Sequence, residues 1–99
     1  MTTEEARARL DEYRVLIDEI DRRIVAILNE RTLVVENIGR VKREAELPIY
    51  EPKREEQVFA NIGSANRGPL TPEAVKRIFE RIIDEMRGIQ RQRMLSGEK

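Results

Sequence analysis

The first 45 residues carry one apolar stripe, and it settles most of what this chain can become. Leu10, Tyr13, Ile17, Ile20, Ile24 and Ile27, then Val34, Ile38, Val41 and Ala45, recur at alternating three- and four-residue steps. That is the spacing of one face of a long helix packed against other helices. One position breaks the rhythm. Counting on from Ile27 reaches Arg31, a guanidinium where the pattern asks for Ile or Leu. An unpaired buried cation costs several kcal/mol, so Arg31 needs an anionic partner or a polar pocket.

Thr2 followed by Glu5 has the form of a capping box, and Pro48 pushes Leu47 out of the helical region, so the stripe predicts a helix over residues 3–46. At 1.5 Å per residue this is a rod of roughly 60 Å. A globule of 99 residues is only about 30 Å across. A rod twice that length, apolar along one face, needs a second chain to cover it, and a homodimer is expected. Gly39 interrupts the helix at a cost of roughly 1 kcal/mol relative to Ala. Either it is tolerated drift or something approaches the backbone closely there.

Beyond the first helix, 48–52 is a connector, and Pro52 suits the first position of a helix over 52–63 that buries Val58, Phe59 and Ile62. Residues 63–69 are a loop by composition. Thr71 as N-cap, Pro72 at the first position and Glu73 in the first turn open a third helix, 71–94. Its stripe is Val75, Ile78, Phe79, Ile82, Ile83, Met86 and Ile89, and 95–99 is expected to be a polar tail. The expectation is a single all-α domain over 1–99: three helices, long, short and medium, with no strand.

Composition narrows the chemistry. Charged residues make up 38% and aromatics 4%, which suits helices laced with ion pairs better than a sheet sandwich. Lys+Arg and Asp+Glu are both 19, so the chain has no basic excess for nucleic acid or an anionic membrane. Without Cys there are no disulfides or thiolate metal sites, and without His the commonest metal ligand and general base are gone. Residues 1–5 lack the apolar core of a signal peptide, and no stretch has the length of a membrane span, so a cytoplasmic protein without a metal is expected.

Several polar residues stand out of place. Lys42 follows Arg31 by almost three whole turns, about 20° around the helix and about 16 Å along it. Two long side chains at that separation can converge on a small anion, with Val35 and Ile38 as an apolar wall. Gln90 ends the face of Phe79, Ile83 and Met86 and is either a solvated helix end or a donor into the same pocket. Glu51, Arg54, Glu55 and Val58 share a broad face of the second helix, as a surface ion-pair lattice or as a polar wall. Arg14 precedes Arg31 by about 25 Å of helix. No small ligand touches both within one chain, so Arg14 is either a surface residue or serves the pocket of an antiparallel partner.

Taken together, Tyr13-Arg14-x-x-Ile17-Asp18-x-Ile20-Asp21, Ile27-Leu28-x-Glu30-Arg31, Ile38-Gly39-x-x-Lys42, Tyr50-Glu51-Pro52-x-Arg54-Glu55 and Phe79-x-x-Ile82-Ile83 with Gln90 resemble the small all-helical chorismate mutases over about residues 7–92. The resemblance implies an intertwined helical homodimer with shared sites. It would convert chorismate to prephenate, toward phenylalanine and tyrosine, by an intramolecular Claisen rearrangement that uses no cofactor. It further implies that Arg31 and the partner chain's Arg14 grip the two substrate carboxylates, and that Lys42 and Gln90 donate to the ether oxygen. Glu55 with Glu51 would hold the ring hydroxyl, and Arg54 would order that wall. Met86 stands where the family often has a small or hydroxyl-bearing residue, and Glu51 where it often has Asp. Gln90 in place of Glu predicts little pH dependence near neutrality. Alternatives on the same fold are an isochorismate-pyruvate lyase and a non-catalytic dimerisation or regulatory domain of a fused shikimate-pathway enzyme.

Overall fold

Thr2 starts the first helix. Its hydroxyl accepts the Glu5 backbone N–H at 3.1 Å and donates to the Glu5 carboxylate at the same distance, so one residue satisfies an orphan donor of the first turn and fixes an acid near the positive end of the helix dipole. In the computed structural model, which describes residues 1–96, α1 spans Thr3–Glu44, α2 Pro52–Ala65 and α3 Pro72–Ser96, with no strand among the described residues. The fold is all-α. The third helix continues through Ser96, past the expected end near Met94; of the expected polar tail, 97–99 lie outside the described residues.

α1 ends two residues earlier than its stripe predicts, and backbone geometry gives the reason. The Leu47 N–H reaches the Lys42 carbonyl at 2.7 Å and the Glu46 N–H reaches the Arg43 carbonyl at 3.2 Å, while Glu46 adopts a left-handed φ of 56°. This is the Schellman closure, normally given to glycine, here carried by a glutamate just ahead of Pro48. α3 opens as its sequence predicts: Thr71 Oγ1 accepts from the Ala74 N–H at 3.1 Å, and Pro72 takes the first position. α2 runs two residues past its expected end at 63, so Gly63, Ser64 and Ala65 are helical and the expected loop is shortened to start at Asn66, whose amide accepts from the Gly68 N–H and donates to the Leu70 carbonyl, both at 2.9 Å.

The chain divides into two units, Met1–Leu33 and Val34–Lys99. The first is helix alone and has no buried residue. Its stripe of Leu10, Tyr13, Ile17, Ile20, Ile24 and Ile27 is 41–66% exposed. Arg14 lies in solvent beside Asp11, at 3.5 Å, and Arg31 is half-buried.

The second unit holds the core. Val75, Ile83 and Met86 of α3 are buried, together with Val35, Gly39 and Lys42 on the last turns of α1. Val58, Phe59 and Ile62 of α2 are half-buried, as are Phe79, Ile82 and Ile89, whereas Ile78 is exposed. The buried face of α1 therefore reads 35, 39, 42 and is distinct from the stripe that continues through Val34, Ile38 and Val41, all of them exposed. The expected wall of Val35 and Ile38 is split: Val35 packs inward and Ile38 belongs to the bare face. Near the end of α3, Arg93 is clamped to Glu36, its Nε donating to Oε2 at 2.8 Å and its second nitrogen bonding the same oxygen.

Candidate functional site

Gly39 of α1 packs against Gln90 of α3. A Cβ built there would meet the Cα and Cγ of Gln90 at 3.7 Å. Of the two readings of this glycine, close approach is the one realised, although the clearance is ordinary van der Waals contact. The contact sets Gln90 beside the next turn of α1, where Lys42 stands.

Lys42 is 7% exposed, the only buried charged side chain among the described residues. Its ammonium bonds the Ile49 carbonyl at 2.9 Å, the Gln90 Oε1 at 3.2 Å and the Glu51 Oε1 at 2.8 Å. An ammonium has three N–H donors and no acceptor, and all three are engaged. The same lack of an acceptor decides the amide of Gln90: its oxygen must face Lys42, which leaves the NH₂ to donate elsewhere. Lys42 also shapes the backbone around it. Its carbonyl caps α1 while its ammonium holds the connector through Ile49.

Glu51 occupies the N-cap position of α2 yet makes no capping bond with its side chain. The carboxylate turns to Lys42 instead. That hydrogen bond, the Lys42 charge and, more weakly, the Arg54 charge hold the Glu51 carboxyl below the usual carboxylate range, against a smaller opposing effect of desolvation. The ion is thus secured at one end of the site, although its other side is open to solvent.

One turn on, Glu55 is held by a residue that sequence reasoning did not single out. Arg87 of α3 donates to Glu55 Oε2 at 2.6 Å, with the two side chains 28% and 25% exposed. The Arg87 guanidinium also lies over the Tyr50 ring, 5.2 Å from its centroid. Arg54, expected to order this wall, is exposed and bonds Gln57 on its own helix at 3.3 Å. A signal for Arg87 was available: it adjoins buried Met86 and precedes Gln90 by one turn, a cation at the border of the α3 stripe.

Of the residues expected to form the site, Lys42 therefore contacts both Gln90 and Glu51, and Glu55 lies one helical turn from Glu51. Arg14 and Arg31 belong to the first unit, on one helix and separated by about 25 Å of rise. No helix among the described residues is long and apolar enough to cross a membrane.

Residues 13–91 match the family model of chorismate mutase type II. The chain is similar to a bifunctional chorismate mutase/prephenate dehydratase of Aquifex aeolicus, 40% identical over 78 residues that cover 75% of this chain and 22% of that protein. The chain thus spans about a fifth of the length of the bifunctional relatives it matches. It is also similar to a chorismate mutase of Methanocaldococcus jannaschii, 28% identical over 85% of this chain and 86% of that protein. Among solved structures it resembles chorismate mutase (form II) of Thermus thermophilus, with a TM-score of 0.81 and 34% identity, covering 84% of this chain and 94% of that one.

Proposed function

The chain belongs to the chorismate mutase type II family, and on that footing we propose that it converts chorismate to prephenate in a site built around Lys42 and Gln90. The observation that carries the reading is a buried ammonium that takes the oxygen of an amide and leaves its NH₂ to donate elsewhere.

The reaction breaks an ether C–O bond while a C–C bond forms within the same molecule; no proton, electron or nucleophile has to be supplied. What the protein can contribute is geometry and charge. In the transition state, negative charge builds on the ether oxygen, and donors aimed there bind the transition state more tightly than the substrate. The Gln90 NH₂ is one such donor. Lys42 is the other, provided it releases one of its three acceptors; Glu51 is the one to yield, since its carboxylate is half exposed and recovers hydration.

The substrate is a dianion, and arginine holds carboxylates in bidentate fashion. Arg31 takes one carboxylate. Arg14 takes the other from a second copy of the chain, because the length of α1 between them exceeds any small ligand. A dimer of that kind also covers the exposed stripe from Leu10 to Ile27, whose burial gives a stabilisation of about 25 cal/mol per Å². Holding both carboxylates selects the compact conformer in which the two reacting carbons approach, so part of the rate comes from preorganisation. Glu55 accepts from the ring hydroxyl. This chemistry requires no cofactor or metal, and a cytoplasmic place is consistent with a small-molecule substrate.

The test is to incubate the purified chain with chorismate and identify the product. Prephenate supports the reading. No consumption by a folded protein removes it, and turnover of isochorismate to salicylate and pyruvate in its place reassigns the fold to lyase chemistry. The shared site is tested by mixing Arg14→Ala chains with Arg31→Ala chains, each inactive alone: recovery of partial activity is expected, and no recovery despite confirmed exchange of subunits sinks it.

A further inference from the structure

We propose that Arg87 is a positioning residue for the Glu55 carboxylate, with the Tyr50 ring as its backing, and that it sets how well the site accepts a substrate hydroxyl. The inference rests on the function proposed above. Arg87 engages a single oxygen of Glu55, Oε2, at 2.6 Å. Oε1 makes no hydrogen bond to the protein among the described residues and remains an acceptor for a ligand. A monodentate grip of this kind does two things. It fixes the plane of the carboxylate, and it leaves the second oxygen directed as an acceptor.

The surroundings of Arg87 argue that this is its purpose. The guanidinium lies 5.2 Å from the Tyr50 ring centroid, an arrangement that arginine favours over lysine. Its Nε is buried and has no hydrogen-bond partner in the protein, and its second contact, to Asp84 Oδ1, is a long 3.6 Å. A buried donor without an acceptor is destabilising. An arginine kept only for packing is therefore a poor choice at this position, since an apolar side chain would fill the space without an unpaired donor of its own, and the half-buried Glu55 carboxylate is what requires the cation. The arrangement makes sense if its value lies in the strong bond to Glu55. Tyr50 and Arg87 also link the connector after α1 to α3, so the carboxylate is oriented by elements on both sides of it.

The substrate hydroxyl does not change during the rearrangement, so an acceptor for it binds ground and transition states alike. Its loss appears in KM and leaves kcat nearly unchanged. Arg87→Gln in the full chain is expected to raise KM for chorismate about tenfold, the worth of one hydrogen bond to a charged group, with kcat within about twofold. Arg87→Lys recovers part of the loss, since a cation still reaches Glu55. In a Glu55→Gln background, Arg87→Gln adds no further increase in KM.

The wild-type assay is read first: if the wild type does not turn chorismate over, the proposed function fails, and this inference falls with it. If the wild type is active, three results overturn the inference alone: an unchanged KM in folded Arg87→Gln, an equal loss in the Glu55→Gln background, or a loss confined to kcat. Thermal unfolding of the single and double variants supplies the control. Coupling between Arg87 and Glu55 in stability without any effect on KM identifies a structural clamp only, and likewise overturns it.

Discussion

Replacing Lys42 with Met tests the centre of the site, because methionine keeps the length and apolar stem of the side chain and removes the ammonium. The stability cost follows from the three contacts. The bonds to the Ile49 carbonyl and the Gln90 amide oxygen come from a charged donor, and such bonds contribute about 1.5–3 kcal/mol each. The contact to half-exposed Glu51 contributes little, since water replaces it. Against this, the variant no longer buries a charge, which returns a few kcal/mol of desolvation. The net is a loss of about 1–3 kcal/mol, or roughly 4–8 °C in Tm per kcal/mol for a chain of this size.

The effect on catalysis is larger and of a different kind. A donor aimed at charge that develops only in the transition state is worth about 10²–10³ in kcat, and Lys42→Met also releases the Gln90 amide from the orientation that exposes its NH₂. We expect kcat for chorismate to fall by at least a hundredfold, with circular dichroism and subunit state unchanged at fixed protein concentration. A folded variant with kcat within tenfold of the wild type, or with a change in KM alone, would refute the assignment of Lys42 to the reacting oxygen.

Other outcomes follow from the same geometry. Gly39→Ala is expected to be folded and active, with stability raised by up to about 1 kcal/mol of helix propensity on thermal unfolding, because the added methyl meets Gln90 at 3.7 Å; Gly39→Leu has no such room and should abolish turnover by displacing Gln90. Glu51 is held below its usual 4.5 by Lys42, so its contribution to stability is complete above that value and is lost as the pH falls through the lower folded value. Chemical denaturation at a series of pH values should find a steeper acid-side loss in the wild type than in Glu51→Gln; identical slopes would remove the Glu51–Lys42 pair from the stability of the fold. In Gln90→Glu an ionised carboxylate facing Lys42 has no hydrogen to donate, so turnover should drop at neutral pH and recover on acidification, against a flat wild-type profile.

The sequence made the helices legible because each is written in local terms: caps at Thr2 and Thr71, prolines at 52 and 72, and apolar steps of three and four. It did not mark where α1 stops, since Glu46 takes a left-handed conformation that composition assigns to glycine. Lys42, Gln90 and Glu51 stood out as polar residues on or beside apolar faces, and Lys42 contacts the other two. Which side chain holds which carboxylate was not legible. Arg54 was the cation expected to order the wall of Glu55, being the one on the same helix, whereas the cation that holds Glu55 is Arg87, brought from α3 by the packing of α2 on α3. The split between Val35 and Ile38 has the same origin: α1 carries two adjacent apolar faces, and periodicity does not say which of them this chain covers itself.

Those two faces account for how a lysine comes to be buried in so small a core. The face through 35, 39 and 42 is narrow, and its middle position is small, with Gln90 packed against it and reaching the ammonium. A larger residue at 39 would widen the crossing and admit water, and a hydrated Lys42 would no longer order the amide. The compactness of lysine then does what the planar fork of an arginine at 42 would not: one small ammonium saturates three acceptors, among them the Ile49 carbonyl and the Glu51 carboxylate, and so fixes the connector as well. The neighbouring face, from Val34 through Val41, remains bare in the single chain. On the proposed reading, one face of α1 assembles the donors within a chain, and the other recruits the second copy whose Arg14 completes the substrate's counter-charge. A variant that weakens the bare stripe should then lose activity on dilution with Lys42 and Gln90 still in place, whereas one that widens the crossing at Gly39 should lose it at every concentration.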